Sequence, residues 1–191
     1  MRFQNPVPGN WIMRIYNNNN QNSNFHIWLP AKEILAEDVT FLKPDPDTTL
    51  TVPSDAESAI SMGFYNGFTD GIVSESGRGF TRTLRYKPEI TAPGIQVTVP
   101  KPNKLQNTSL PQTDLYGSMS GSSTAAALTA GGMALLQQWK YESAVSSFID
   151  AANMKAYIIR GANREYGLLY PNPITGYGKL DLYGIFKTLL S

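Results

Sequence analysis

One local string restricts this chain more than any other: Tyr116-Gly-Ser-Met-Ser-Gly-Ser-Ser-Thr-Ala-Ala-Ala-Leu-Thr-Ala-Gly-Gly-Met-Ala-Leu-Leu136. A turn of small residues, Met119 to Ser122, opens directly into an Ala-rich stretch, and Ala is the strongest helix former. The pattern predicts a helix from Ser123 to about Trp139. Ser123 at the junction stands where a nucleophilic hydroxyl gains most from its surroundings. The first helical N–H groups are unpaired, and the positive end of the helix dipole favours negative charge developing beside the hydroxyl. Small neighbours let another backbone approach closely. Taken alone, the string reads more simply as a capped core helix, since Ser and Thr are common N-caps.

The totals bound what can surround that helix. The 191 residues, 41% of them hydrophobic, suffice for one ordinary domain burying roughly 70% of its unfolded surface. A net charge of +1 with scattered Lys and Arg makes no case for nucleic acid or an acidic membrane surface as partner. The absence of cysteine excludes a disulfide scaffold and a thiolate metal site. No apolar run approaches the ~18 residues that span a bilayer. Met1-Arg-Phe-Gln-Asn-Pro6 has no apolar signal region, so the chain as written carries no address for secretion, which has no meaning in a piece of a longer protein.

Along the chain, Trp11–Tyr16 and Phe25–Leu29 alternate apolar and polar residues around the run Asn17-Asn-Asn-Asn-Gln-Asn-Ser-Asn24. This predicts a hairpin with a long polar tip, belonging to a larger sheet because a lone hairpin is marginal in water. Two prolines make Phe41–Asp47 an extended connector. Ala59–Tyr65 reads as a buried strand, Gly67–Arg85 mostly as loop, and Thr91–Val99 as a Pro-Gly turn followed by a short strand. Residues 100 to 117 read as a polar loop leading to the serine. Helical spacing of Ile149, Ala152, Ala156 and Ile159 predicts a second helix near Ser147–Arg160, with Gly161 suited to its end. A third is expected over Leu180–Leu190, capped by Asp181. Asp45, Asp47, Asp55 and Glu57 form a small acidic cluster. Without a Gly-containing loop of calcium-ligand spacing, it reads as a solvated connector before it reads as a calcium site. No phosphate-binding loop or zinc spacing is present, and no cofactor is expected.

The longer string Gly121-Ser-Ser-Thr-Ala-Ala-Ala-Leu-Thr-Ala-Gly131 resembles the serine-bearing motif of the subtilisin-like proteases, Gly-Thr-Ser-Met-Ala-Ala-Pro-His-Val-Ala-Gly, with Ser123 on the nucleophile. Lys87-Pro-Glu-Ile-Thr-Ala-Pro-Gly94 is similar to the family's Lys-Pro-Asp-Val-Val-Ala-Pro-Gly, and Ser76-Gly-Arg-Gly79 to its Ser-Ser-Arg-Gly-Pro. Gly176-Tyr-Gly-Lys-Leu-Asp-Leu182 resembles its Gly-Tyr-Gly segment near the domain end. Phe25-His-Ile-Trp-Leu-Pro30, Pro44-Asp-Pro-Asp-Thr-Thr-Leu-Thr51 and Ile159-Arg-Gly-Ala162 resemble the clostridial germination-protease branch, whose members carry an inserted β-sandwich. The resemblance implies an α/β fold: the C-terminal part of a subtilisin-like three-layer domain with a mainly parallel sheet. It implies that residues 1–47 are the last strands of the inserted sandwich with a connector, and that residues 48–191 belong to the protease domain. An extracellular or spore-associated location follows from the same resemblance.

A serine hydrolase needs a base on the hydroxyl, a carboxylate to orient that base, and an oxyanion hole. Only Ser123 and its own N–H carry over from the family. His26, the sole histidine, lies in a strand-like stretch unlike the family's histidine motif and reads as a sheet histidine without catalytic duty. The aspartate motif is absent, and Asn66 and Asn103 lack the context of the oxyanion asparagine. Thr124, Ala127 and Leu128 stand where the family usually has Met, Pro and His. The expected activity is therefore endopeptidase cleavage of a polypeptide through an acyl-enzyme on Ser123, with Asp and His brought by an N-terminal segment of the same protease. The alternative is a pseudoprotease that binds or regulates. The chain alone is expected to be inactive.

Overall fold

The computed structural model describes residues 7–18, 21–30, 34–36, 38–101, 115–143 and 147–190. The chain divides into two compact units, Met1–Leu42 and Lys43–Ser191.

In the first unit, the expected hairpin is not formed among the described residues: Trp11–Tyr16 and Phe25–Leu29 join no strand ladder. The turn-forming character of the Asn run is nevertheless expressed locally, because the Asn17 amide donates to the Gln21 carbonyl at 2.7 Å and to the Ser23 hydroxyl at 3.3 Å. Alternation specifies which face of a strand is apolar. It cannot make a ladder without partner strands, and two strands alone bury too little. Trp11 remains 61% and Trp28 48% exposed, the latter stacked on His26 with ring centres 5.4 Å apart.

The second unit is α/β, as the resemblance implied. Strands β1 (Met62–Tyr65) and β2 (Ile90–Pro93) pair in parallel, Met62 opposite Ile90 and Tyr65 opposite Pro93. Strands β3 (Val97–Pro100) and β4 (Tyr116–Met119) pair antiparallel, Val97 opposite Met119. Three helices follow: α1 (Ser122–Glu142), α2 (Ala151–Gly161) and α3 (Leu182–Leu190). Helix α1 lies on β1 and β2, burying Ala125 with Phe64 and Ala92. Further along α1, Leu136 joins Ile90, Ile158, Ala162 and Ile185 in the main cluster. Each of the fully buried Leu and Ile side chains contributes roughly 1.5–3 kcal/mol. Among the described residues no helix is long and apolar enough to cross a membrane.

The sequence motifs recur as packing devices around this parallel pair. The Tyr177–Leu180 segment bonds along β2, with the Leu180 amide on the Thr91 carbonyl at 2.8 Å and the Thr91 amide on the Gly178 carbonyl at 3.0 Å. Gly176 and Gly178 both have positive φ, 59° and 133°. A β-carbon at either would collide with backbone, that of Pro88 and Glu89 in one case and of Asn163 in the other, so both positions require glycine. Glu89 is buried and accepts the Ser61 amide at 2.8 Å, the Ser61 hydroxyl at 2.7 Å, Lys87 Nζ at 2.9 Å and Lys155 Nζ at 2.8 Å. It thereby ties β2 to the residue before β1 and to α2. Burial alone would raise its pKa, but the bonds from Lys155, Ser61 and Lys87 outweigh that and hold the carboxyl below the ordinary range.

Candidate active site

The C-terminal end of the parallel pair leads to the start of α1 through backbone hydrogen bonds. Gly94, directly after β2, donates its amide to the Tyr65 carbonyl at the end of β1 (2.9 Å), and its own carbonyl accepts the Gly121 amide at 2.7 Å. A side chain at Gly94 would press on Phe64 and on the Gly121 carbonyl, 2.9 Å from its β-carbon, so glycine is what lets the two segments touch. A second link lies beside the first: the Gln96 amide donates to Ser120 Oγ at 2.8 Å. The crevice beyond the carboxyl ends of parallel strands is where α/β proteins place ligands.

Gly121, with φ 136° and ψ 167°, is the N-cap of α1, and no side chain caps it. Its carbonyl takes the amides of Thr124 (3.1 Å) and Ala125 (3.3 Å). The amides of Ser122 and Ser123 meet no acceptor among the described residues, and no acidic residue occupies the first turn. Ser123 therefore stands exposed at an uncompensated positive helix end, while the next two residues, Thr124 and Ala125, are buried and fix the helix on the sheet. Thr124, one of the departures from the family motif, faces the interior; Ala127 and Leu128 are exposed. Among the described residues no side chain hydrogen-bonds the Ser123 hydroxyl. The arrangement presents a hydroxyl and an unbonded N–H on the same residue.

The other sequence candidates lie elsewhere in the fold. His26 is in the first unit, against Trp28. Asn66 spends its side-chain oxygen on the amides of Phe68 (2.9 Å) and Thr69 (3.4 Å), closing the loop after β1. Asn103 lies outside the described residues. Asp181 accepts the Gly184 amide at 2.9 Å, as expected of the α3 cap. Asp45 caps its own turn by accepting the Asp47 amide at 3.0 Å. Among the described residues no three acidic, His or Cys side chains are grouped to hold a metal ion. Sequence reasoning missed Lys179, which pairs with Asp70 at 2.7 Å and with Glu165 and lies over the Tyr65 ring. Burial pushes its pKa down, but the hydrogen bonds it donates to Asp70 and Glu165 prevail and raise it. Its place directly after Gly176-Tyr-Gly178 was the available signal.

Compared with known proteins, residues 18–178 match the family model described as the Subtilase family. Among solved structures, the Clostridium perfringens CspB protease is 32% identical with a TM-score of 0.69, over 81% of this chain and 32% of that one. A lanthipeptide protease is 24% identical with a TM-score of 0.57, over 72% and 43% of the respective chains. Fervidolysin from Fervidobacterium pennivorans is 19% identical with a TM-score of 0.55, over 71% and 20%. The last two likenesses speak to the fold alone. This chain spans about a third of the length of the CspB protease. No curated protein sequence gives a significant match.

Proposed function

The chain belongs to the subtilase family, and from that premise we propose that it is the serine-bearing C-terminal part of an endopeptidase whose base and orienting aspartate come from an N-terminal segment of the same protease. The observation that carries this reading is Ser123 itself, exposed at the uncompensated start of α1 while the two residues after it are buried. In the reaction, Ser123 Oγ attacks a peptide carbonyl carbon as its proton passes to the supplied histidine. The carbonyl oxygen becomes an oxyanion that accepts from the Ser123 N–H. Collapse breaks the C–N bond, the histidine returns the proton to the leaving amine, and water then hydrolyses the ester on Ser123.

Helix α1 supports the missing-segment part of the proposal. Its outward face carries Ala126, Ala127, Leu128, Ala130, Gly131, Ala134 and Leu135, with Leu128 and Leu135 well exposed. A β-carbon at Gly131 would meet nothing within 4 Å. From Ala125 to Leu136 the helix carries no charged residue on any side, the pattern of an interior segment, and the length difference from the CspB protease leaves ample chain to cover it. The substrate is a polypeptide, as the family implies.

The second reading is a non-catalytic pseudoprotease acting as a binding or regulatory protein. It is favoured by one observation, that the only histidine lies in a stretch unlike the family's histidine motif. Peptide hydrolysis by the full-length protein separates the two. Replacing Ser123 by Ala is expected to lower turnover by several orders of magnitude, with Ser122→Ala far milder. An active enzyme that keeps its rate in Ser123→Ala would overturn the assignment. A full-length protein inactive because its histidine or aspartate is replaced would favour the pseudoprotease.

A further inference from the structure

The segment entering α1 is held to the turn between β2 and β3 by two hydrogen bonds of different origin. One is backbone to backbone, Gly121 to Gly94. The other depends on a side chain, the Ser120 hydroxyl that accepts the Gln96 amide from 24 residues away. Gln96 has φ of 50°, the left-handed region in which a residue with a β-carbon is strained. Such a conformation persists only where its surroundings fix it, and the Ser120 hydroxyl is the fixing group on its amide.

Resting on the reading of Ser123 as nucleophile, we propose that Ser120 is a positioning residue for it: through Gln96, its hydroxyl sets where the Ser123 hydroxyl and amide stand relative to the carboxyl ends of β1 and β2. Ser120 touches no reacting atom. It acts through Gly121 and Ser122, the two residues that separate it from the nucleophile. The fold does not need this bond, since α1 is formed by its Ala-rich sequence and anchored by Ala125 and Leu136. The position of the first turn does need it, because Gly121 has no side chain to cap the helix. A nucleophile displaced by a fraction of an ångström loses rate steeply.

The test uses the full-length protein with Ser120→Ala, Ser120→Thr and the double variant Ser120→Ala/Gln96→Gly. The readouts are kcat and KM on a peptide ester, the thermal midpoint, and amide hydrogen exchange at Gln96 and Gly121. In Ser120→Ala, kcat is expected to fall about tenfold with KM within about twofold, with a midpoint changed by only a few degrees and faster exchange at Gln96 and Gly121. Thr, which keeps the hydroxyl, should restore kcat. Gln96→Gly, which accepts positive φ without strain, should restore part of it in the Ala background. An unchanged kcat despite faster Gln96 exchange, or failure of Thr to rescue, overturns the proposal. Should the full-length protein show no activity, the nucleophile reading fails separately. The Gly121 amide, bonded to the Gly94 carbonyl, then decides: faster exchange in Ser120→Ala supports the positional link, and unchanged exchange overturns it.

Discussion

The two units of this chain solve the same problem with unequal means. Met1–Leu42 has well-patterned apolar residues yet leaves Val7, Ile12, Tyr16 and Phe25 mostly exposed. Lys43–Ser191 buries Ile90, Leu136, Ile158 and Ile185 almost completely. The difference is not hydrophobicity. In the second unit the apolar residues sit on helices that form from local sequence and on a short strand pair that those helices cover. In the first they sit on alternating stretches whose ladder hydrogen bonds require other strands. Helical pattern is nearly self-sufficient, whereas strand pattern is an instruction that needs a partner.

Substitutions can break that comparison. The largest stability effect is expected at Glu89. Replacing it by Ala leaves the ammonium groups of Lys87 and Lys155 without their shared carboxylate in a buried setting, a loss of about 3–5 kcal/mol, read by denaturant unfolding. The same site gives a pH dependence. Its folded-state pKa is lowered, so its contribution is present above the ordinary carboxylate range and disappears as pH falls through the folded value. Glu89→Gln should therefore flatten stability against pH on the acid side. A Gln variant with the parent's acid sensitivity would assign that sensitivity elsewhere.

A smaller effect is expected where α2 meets α3. A β-carbon at Gly161 would stand 2.5 Å from the Ile185 backbone, so Gly161→Ala should destabilise by about 1–3 kcal/mol through forced separation of the helices. The smallest stability effects belong to the first unit: Trp11→Ala or Trp28→Ala should change unfolding by less than about 0.5 kcal/mol. They should nevertheless reduce light scattering, since exposed apolar side chains promote association. A cost of several kcal/mol at either tryptophan would erase the contrast between the units.

How much could be read in advance follows the same division. Helix α1 was legible because Ala125–Leu136 encodes it locally. It runs past the expected Trp139 to Glu142 because nothing stops it before Ser143, whose hydroxyl bonds the Lys140 carbonyl at 2.6 Å. Helix α2 begins at Ala151 rather than near Ser147 because Asp150 accepts the Asn153 amide at 2.8 Å and so takes the N-cap. Strands β2 and β4 were read as part of a turn and of a loop. Ile90-Thr-Ala-Pro93 and Tyr116-Gly-Ser-Met119 have little strand character of their own and become strands through what pairs with them. Ser123 was legible as a position. Its supports were not: Glu89 meets Lys155 and Ser120 meets Gln96 across long sequence separations that periodicity does not reveal.

On the proposed reading, this chain carries the nucleophile Ser123 at the start of α1, and the base comes from another segment of the protease. Labelling with a fluorophosphonate probe, followed by peptide mapping, tests it most directly when run on the isolated chain and on the full-length protein side by side. The expected result is rapid modification of Ser123 in the full-length protein, and no modification of the isolated chain beyond a denatured control. Rapid labelling of Ser123 in the isolated chain, or labelling of the full-length protein at another serine, would contradict it.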